Sequence, residues 1–295
     1  MTSINTNSSA MAALQTLRNV NSKLDSTQNH VSTGFKVASA KDNASYWSIA
    51  TTMRSDNAAV GAASDALGIG AAKVDVAYAG VQSAIDVVTE IKSKLVTANE
   101  SSTDMSKIMD EVKQLQAQLK SVAESASFNG ENWLMGGATA TKSVVTAFVR
   151  TGSGSSNVQV STETVTTGNF ALFGMGSSGT ADVSTGVLAS VASINLTESS
   201  GASAIATALQ DVETALSKLT TGAATLGSLS SRIDLQMDFA SKLSDAIESG
   251  VSRLVDADME EESAKLSALQ TQQQLAIQSL SIANSSSQNV LSLFR

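Results

Sequence analysis

Apolar residues recur at alternating three- and four-residue steps along most of the chain. Val74, Ala77, Val81, Ala84, Val88, Ile91, Leu95 and Ala98 form one series. Met105, Ile108, Val112, Leu115, Leu119 and Val122 form a second, and Leu226, Leu229, Ile233, Met237, Ala240, Leu243, Ile247, Val251 and Leu254 a third. This spacing returns a side chain to one face of an α-helix at every turn, so each series predicts a helix with a coiled-coil-like seam. Between the first two series lie Asn99, Ser101, Ser102 and Thr103. These are turn and capping residues, and they predict two helices that run antiparallel and pack together. The second series stops at Phe128-Asn129-Gly130. Asn-Gly predicts a tight turn, because both residues tolerate positive φ.

From Gly136 to about Ser200 the pattern changes. Gly, Ser and Thr dominate, charge almost vanishes, and short Val/Thr/Phe runs appear at Ser143 to Val149 and Val158 to Val165. These read as strands of a small β-rich insert. Helical spacing resumes near Ala202. The two ends carry thinner seams. Leu14, Leu17, Leu24, Val31 and Phe35 form one, with polar Asn21 and Gln28 in line; Leu266, Leu269, Ile277 and Leu280 form the other, with Gln273 in line. Isolated helices gain little in water, so these ends are expected to gain order when they find partners. The fold class predicted is mainly α: a long coiled-coil-like helical bundle formed by both chain ends, with a small β-rich outer insert.

Composition sharpens this picture. The chain has 295 residues, enough for a sizeable core, and its aromatic content is only 4%. A core of Ala, Val, Leu and Ile suits helix packing better than an aromatic-lined ligand pocket. Proline is absent, where roughly fifteen would be usual for this length at ~5%. Its absence permits long unbroken helices and removes slow isomerisation from folding. Cysteine is absent too, which excludes disulfides and thiol chemistry. A net charge of −8 argues against a nucleic-acid partner. No stretch is apolar and long enough to predict a membrane span. Met1 to Ala10 has neither a basic nor an apolar segment, so no cleavable signal peptide is expected.

Several short motifs then point one way. Ser39-Ala40-Lys41-Asp42-Asn43-Ala44 resembles the SAKDDAAG-type element that follows the first helix of flagellins. Phe128-Asn129-Gly130 resembles the FNG turn of that family, and Asn289-Val290-Leu291-Ser292-Leu293-Phe294-Arg295 its NVLSLLR terminus. Ser231-Arg232-Ile233, and Asp256-Ala257-Asp258-Met259 with the acidic residues after it, match the C-terminal flagellin region in kind. The resemblance covers roughly residues 1–136 and 202–295. Ala44-Ser45-Tyr46-Trp47-Ser48 departs from the common Ala/Gly-rich continuation and looks like flagellins of alphaproteobacteria.

The resemblance implies an extracellular subunit of the flagellar filament that swells a helical homopolymer head to tail, alone or with sibling flagellins, and serves swimming. It implies an inner domain from residues 1–40 and 256–295, a helical rod domain from 41–135 and 202–255, and an outer variable domain from 136–201. The assembly interface it implies lies on the terminal helices: Leu14, Leu17, Leu24, Val31, Phe35, Leu266, Leu269, Ile277, Leu280, Val290, Leu291, Leu293 and Phe294. The implied partners are a flagellin export chaperone and the filament cap and hook-junction proteins, with export by the flagellar type III pathway. A hook–filament junction adaptor shares the same ends and is the alternative reading.

Other chemistry is thinly supported. His30 is the sole histidine, expected to be solvated on a polar helix position. Gly68-Ile69-Gly70 followed by Lys73 lacks the spacing of a phosphate loop and reads as a helix break or close helix contact. The acidic run Asp256, Asp258, Glu260, Glu261 and Glu262 reads as a solvated helix face rather than a metal site. No cofactor and no catalytic residue is expected.

Overall fold

The structure is a computed structural model. It describes residues 7–100, 104–137, 140–150, 158–176, 179–197 and 202–292, and the side chains of all of these but 158 and 286–292. The order of elements is helix α1 (Ser8–Thr33), α2 (Ala44–Ala98) and α3 (Met105–Ser125). Strands β1 (Ser127–Phe128), β2 (Glu131–Asn132), β3 (Thr141–Arg150), β4 (Val158–Thr166), β5 (Gly174–Met175) and β6 (Ala181–Asp182) follow. A short helix α4 (Ala189–Ala192) leads to the long helices α5 (Ala202–Val255) and α6 (Met259–Ser292). The architecture is mainly α, as the periodicity predicts.

The helix ends follow from capping chemistry. The side chain of Asn7 accepts a hydrogen bond from the Ala10 N–H at the start of α1, and Gly34 ends that helix with φ 75°. Asn43 Oδ1 accepts from the amides of Ser45 and Tyr46 at the start of α2. Asp104 does the same for Ser106 and Lys107 at the start of α3. Asp258 Oδ1 accepts from Glu260 and Glu261 at the start of α6. The predicted turn is present: Asn129 (φ 51°) and Gly130 (φ 78°) join β1 to β2 in a two-residue hairpin.

Chain contacts divide the protein into two units, residues 1–57 with 245–295 and residues 58–244. In the second unit α2, α3 and α5 bury their seams in one core, together with Trp133, Leu134, Phe170, Leu172 and Phe173. Every residue of the first predicted series is buried, all but Ala98 in this core. In the second, Val112 and Leu119 are fully buried as expected, and the buried places on either side of them shift by one position. Met109 and Ala123 take fully buried places, while Ile108 and Val122 are half-buried beside them. A helix packed against more than one neighbour buries a broader stripe than a single seam, so its centre is not fixed by spacing alone. Ion pairs Lys94–Glu111 and Lys92–Glu213 tie α2 to α3 and to α5.

Strands β3 and β4 form an antiparallel ribbon with an irregularity between Val145 and Ala147. Val144 packs onto Gly70, where a side chain on the helix would collide with it. The Gly68-Ile69-Gly70 string is therefore a close contact inside a continuous helix. Lys73 beyond it donates to Glu131 Oε2 at 2.6 Å.

In the first unit α1 packs against α6. The partner each chain end finds within the chain is the other end. Beside this pair Val37, Ala50, Val251 and Val255 form a small core with Phe35, Met53, Ile247 and Leu254 around it. Among the described residues no helix is long and apolar enough to cross a membrane.

Candidate assembly surface

The shared face of α1 and α6 is built from three-four spacing on both helices. Leu24 is buried, and Leu14, Leu17 and Val31 are half-buried, on α1. Leu266, Leu269 and Leu280 are half-buried on α6. The structure adds Val20, Thr27 and Ala276, all buried, to this face. Val20 stands three residues after Leu17 and Ala276 three after Gln273, so their spacing was readable.

Two of the expected positions lie elsewhere. Ile277 is turned outward and is 54% exposed, one residue past buried Ala276. Phe35 follows α1 in the connecting segment, where its backbone bridges to Asp256 and the Arg54 guanidinium stands 5.2 Å from its ring centre. Val290 and Leu291 fall in the last turns of α6, but their side chains, like the whole of Leu293 and Phe294, lie outside the described residues.

Polar groups also enter the pair. Gln273 Nε2 donates to Asn21 Oδ1 at 2.8 Å, and Asn7 Nδ2 donates to the Ala283 carbonyl at 2.9 Å. His30 is not solvated as expected. Its Nδ1 is buried and lies 3.5 Å from Glu262 Oε2 without forming a hydrogen bond. The acidic run is likewise not one solvated face. Asp258 caps α6, Glu260 and Glu261 sit in its first turn, where the helix dipole favours negative charge, and Glu262 is buried with Lys265 donating to it at 3.1 Å. Among the described residues no cluster of His, Cys, Asp or Glu is placed to hold a metal ion.

Apolar groups remain uncovered on both flanks of the α1–α6 face. A groove of about 320 Å³ runs along one flank, lined by Ala13, Thr16, Val20, Gln272, Leu275, Ala276 and Ser279. Leu275 (58% exposed) borders it, with Ile282 on the same side of α6 at helical spacing. Ile277 and Met259 stand exposed on the other flank. α6 thus carries more apolar surface than α1 covers.

The family model described as the bacterial flagellin N-terminal helical region matches residues 4–139, and the one for the C-terminal helical region matches residues 209–294. Flagellin A of Rhizobium meliloti is 46% identical over 398 aligned positions that span 100% of both chains. Flagellin C of Rhizobium meliloti strain 1021 is 47% identical over 329 positions, and a flagellin of Brucella melitensis biotype 1 is 49% identical over 296, each again spanning 100% of both chains. The seams, the FNG hairpin and the terminal helix pair thus lie in regions that match the family from end to end, and the chain belongs to the bacterial flagellins, structural proteins of the flagellar filament and not enzymes.

Proposed function

We propose that this chain grows a helical filament by adding head to tail, with the flanks of the terminal helix pair as the adhesive surface. A heterologous contact that does not close into a ring propagates without limit. The observation that carries the reading is the uncovered apolar flank of α6, where Leu275 and Ile282 line one side and Ile277 and Met259 the other. Burial of such groups is worth about 25 cal/mol per Å², and a second copy is the partner that a flagellin supplies in quantity. Val290, Leu291, Leu293 and Phe294 are read as part of the same contact, on the resemblance of the carboxy-terminal motif to the family. In this reading residues 1–40 and 256–295 form the inner domain, 41–135 and 202–255 the middle, and 136–201 project outward. Export unfolded by the flagellar type III pathway, with a chaperone on the C-terminal segment and cap and hook-junction proteins at the growing end, completes it.

Electron microscopy of purified monomer before and after addition of short filament seeds tests the proposal. Long filaments growing from the seeds are expected. Monomers that leave seeds unextended would overturn it and favour the junction adaptor, which joins as a short zone.

A further inference from the structure

Tyr46 and Trp47, the aromatic pair that departs from an Ala/Gly-rich start of α2, take no part in the small core of the first unit. Both are exposed, as is Ile49 beside them. The same unit carries a groove of about 330 Å³, with Phe35, Ile247 and Val251 as its apolar lining and Arg54, Glu248 and Asp256 as its charged one. That volume is at the low end for a ligand cleft, which suits a single inserted side chain. A guanidinium attracts the face of a π system, and carboxylates accept hydrogen bonds. One phenol or indole answers both demands with an apolar ring and a polar tip.

The chain has two tyrosines and two tryptophans to offer. Trp133 is buried. Tyr78 has exposed Asp75 and Gln82 as neighbours at helical spacing and lacks apolar company. Tyr46 and Trp47 remain, and helix geometry separates them. Ala50 of α2 and Val251 of α5 meet in the small core. At about 3.6 residues per turn, Trp47 and Arg54 fall to one side of Ala50, and Tyr46, Ile49 and Met53 to the other. On α5, Glu248 and Ser252 fall to the first side of Val251, and Gly250 and Leu254 to the second. The contacts agree. Arg54 shares the groove with Glu248 and Ser252, whereas Met53 packs on Gly250, where an added Cβ would lie 2.8 Å from its Cε.

We propose that Tyr46 of one copy enters this groove on the next copy in the filament. Ring and groove lie on opposite sides of one helix pair. Each copy therefore gives its ring to one neighbour and its groove to another, and the contact repeats without closing. Trp47, on the groove's own side, would meet a groove only reciprocally, which closes a pair and stops growth. In the occupied groove the Tyr46 ring covers Phe35 and Ile247, faces the Arg54 guanidinium, and directs its hydroxyl to the carboxylates at the rim. Ile49 and Met53 extend the apolar contact around it. The contact rests on the head-to-tail reading above and adds to it a site separate from the flanks of α1 and α6.

Filaments grown from seeds test this directly. The full-length chain with p-azidophenylalanine in place of Tyr46 is polymerised as a mixture of isotope-labelled and unlabelled copies, irradiated and digested with trypsin. Mass spectrometry should find the azide joined to the peptide from Leu243 to Arg253, which holds the α5 wall of the groove, in hybrids of one labelled and one unlabelled chain. Tyr46→Ala should raise the critical concentration for seed extension about tenfold, as loss of a central aromatic anchor does. Ser252→Trp, which fills the groove from its own side, should raise it by a similar factor, and the double variant no further, because both remove one contact. Cross-links confined to single chains or to other peptides, or additive effects of the two substitutions, would overturn the contact and leave the filament reading standing. Wild-type monomers that leave seeds unextended would overturn both.

Discussion

Gly222 and Gly227 stand five residues apart on α5 and differ in what a methyl group would meet. At Gly222 an added Cβ would lie 2.6 Å from the Asn169 carbonyl oxygen and 2.7 Å from Phe170 Cβ, whereas at Gly227 nothing lies within 4 Å. Backbone cannot step aside as a long side chain can. Gly222→Ala should therefore destabilise the second unit by about 2–3 kcal/mol through overpacking. Gly227→Ala, which only removes chain entropy from the unfolded state, should stabilise it by about 0.4–1 kcal/mol. Urea unfolding followed by circular dichroism checks both, and similar midpoints for the two variants would contradict the contact. Asn132 shows the same dependence on neighbours. Its Nδ2 donates to the Ala123 carbonyl at 2.6 Å and its Oδ1 accepts from Leu134 and Met135, so one buried side chain closes the end of α3 onto the turn beyond it.

At the scale of elements, charge fixes what apolar spacing leaves free. Glu131 on β2 accepts from Lys73 of α2 at 2.6 Å and lies 3.4 Å from Lys142 of β3. The hydrogen bond from Lys73, followed by the charges of both lysines and opposed by partial burial, holds its carboxyl below the usual glutamate range. A lowered folded-state value means that the contribution to stability is present above the unfolded-state value and is lost as pH falls through the folded one. The thermal midpoint of Glu131→Gln should therefore lie below that of the parent at neutral pH. The gap should close as pH drops beneath about 4.3, the ordinary glutamate value, while both lysines stay charged. A gap that persists at pH 3 would show that the side chain acts through shape rather than charge. Asp42 behaves alike in the segment between α1 and α2. Backbone and hydroxyl donors at Ser39, with the Ala38 amide, hold it low, which gives the Ser-Ala-Lys-Asp motif its role as a closed loop.

For the whole molecule the question is which apolar surface serves folding and which serves assembly, and two leucines on α6 separate them. Leu280 is half-buried on the face that meets α1, whereas Leu275 is 58% exposed on the flank. Leu280→Asp places a carboxylate inside the pair and should lower the helix content of the monomer itself. Leu275→Asp should leave the monomer's circular dichroism unchanged and abolish extension of filament seeds seen by electron microscopy. Normal filaments from Leu275→Asp would remove that flank from the adhesive surface.

Much of this was legible in the order of residues, because it rests on interactions between near neighbours. The long helices follow from three-four spacing without proline, the β1–β2 hairpin from Asn-Gly, the strands from alternating Val and Thr, and the membership of the family from short motifs at both ends. Residues distant in sequence decided the rest. The burial of Met109 and Ala123 in place of Ile108 and Val122 at the two ends of the α3 face depends on what packs beside it, and the outward turn of Ile277 on where α1 lies. His30 Nδ1 and buried Glu262 come together only because the two chain ends meet. Gln273 and Asn21 read as interruptions of two apolar seams until those seams are set face to face, where a pair of amides that would each be a defect alone becomes a hydrogen bond across 252 residues of chain. Spacing along a helix is a local property that sequence carries in full; which surfaces meet depends on the free energy of the assembled fold, and that is settled only in three dimensions.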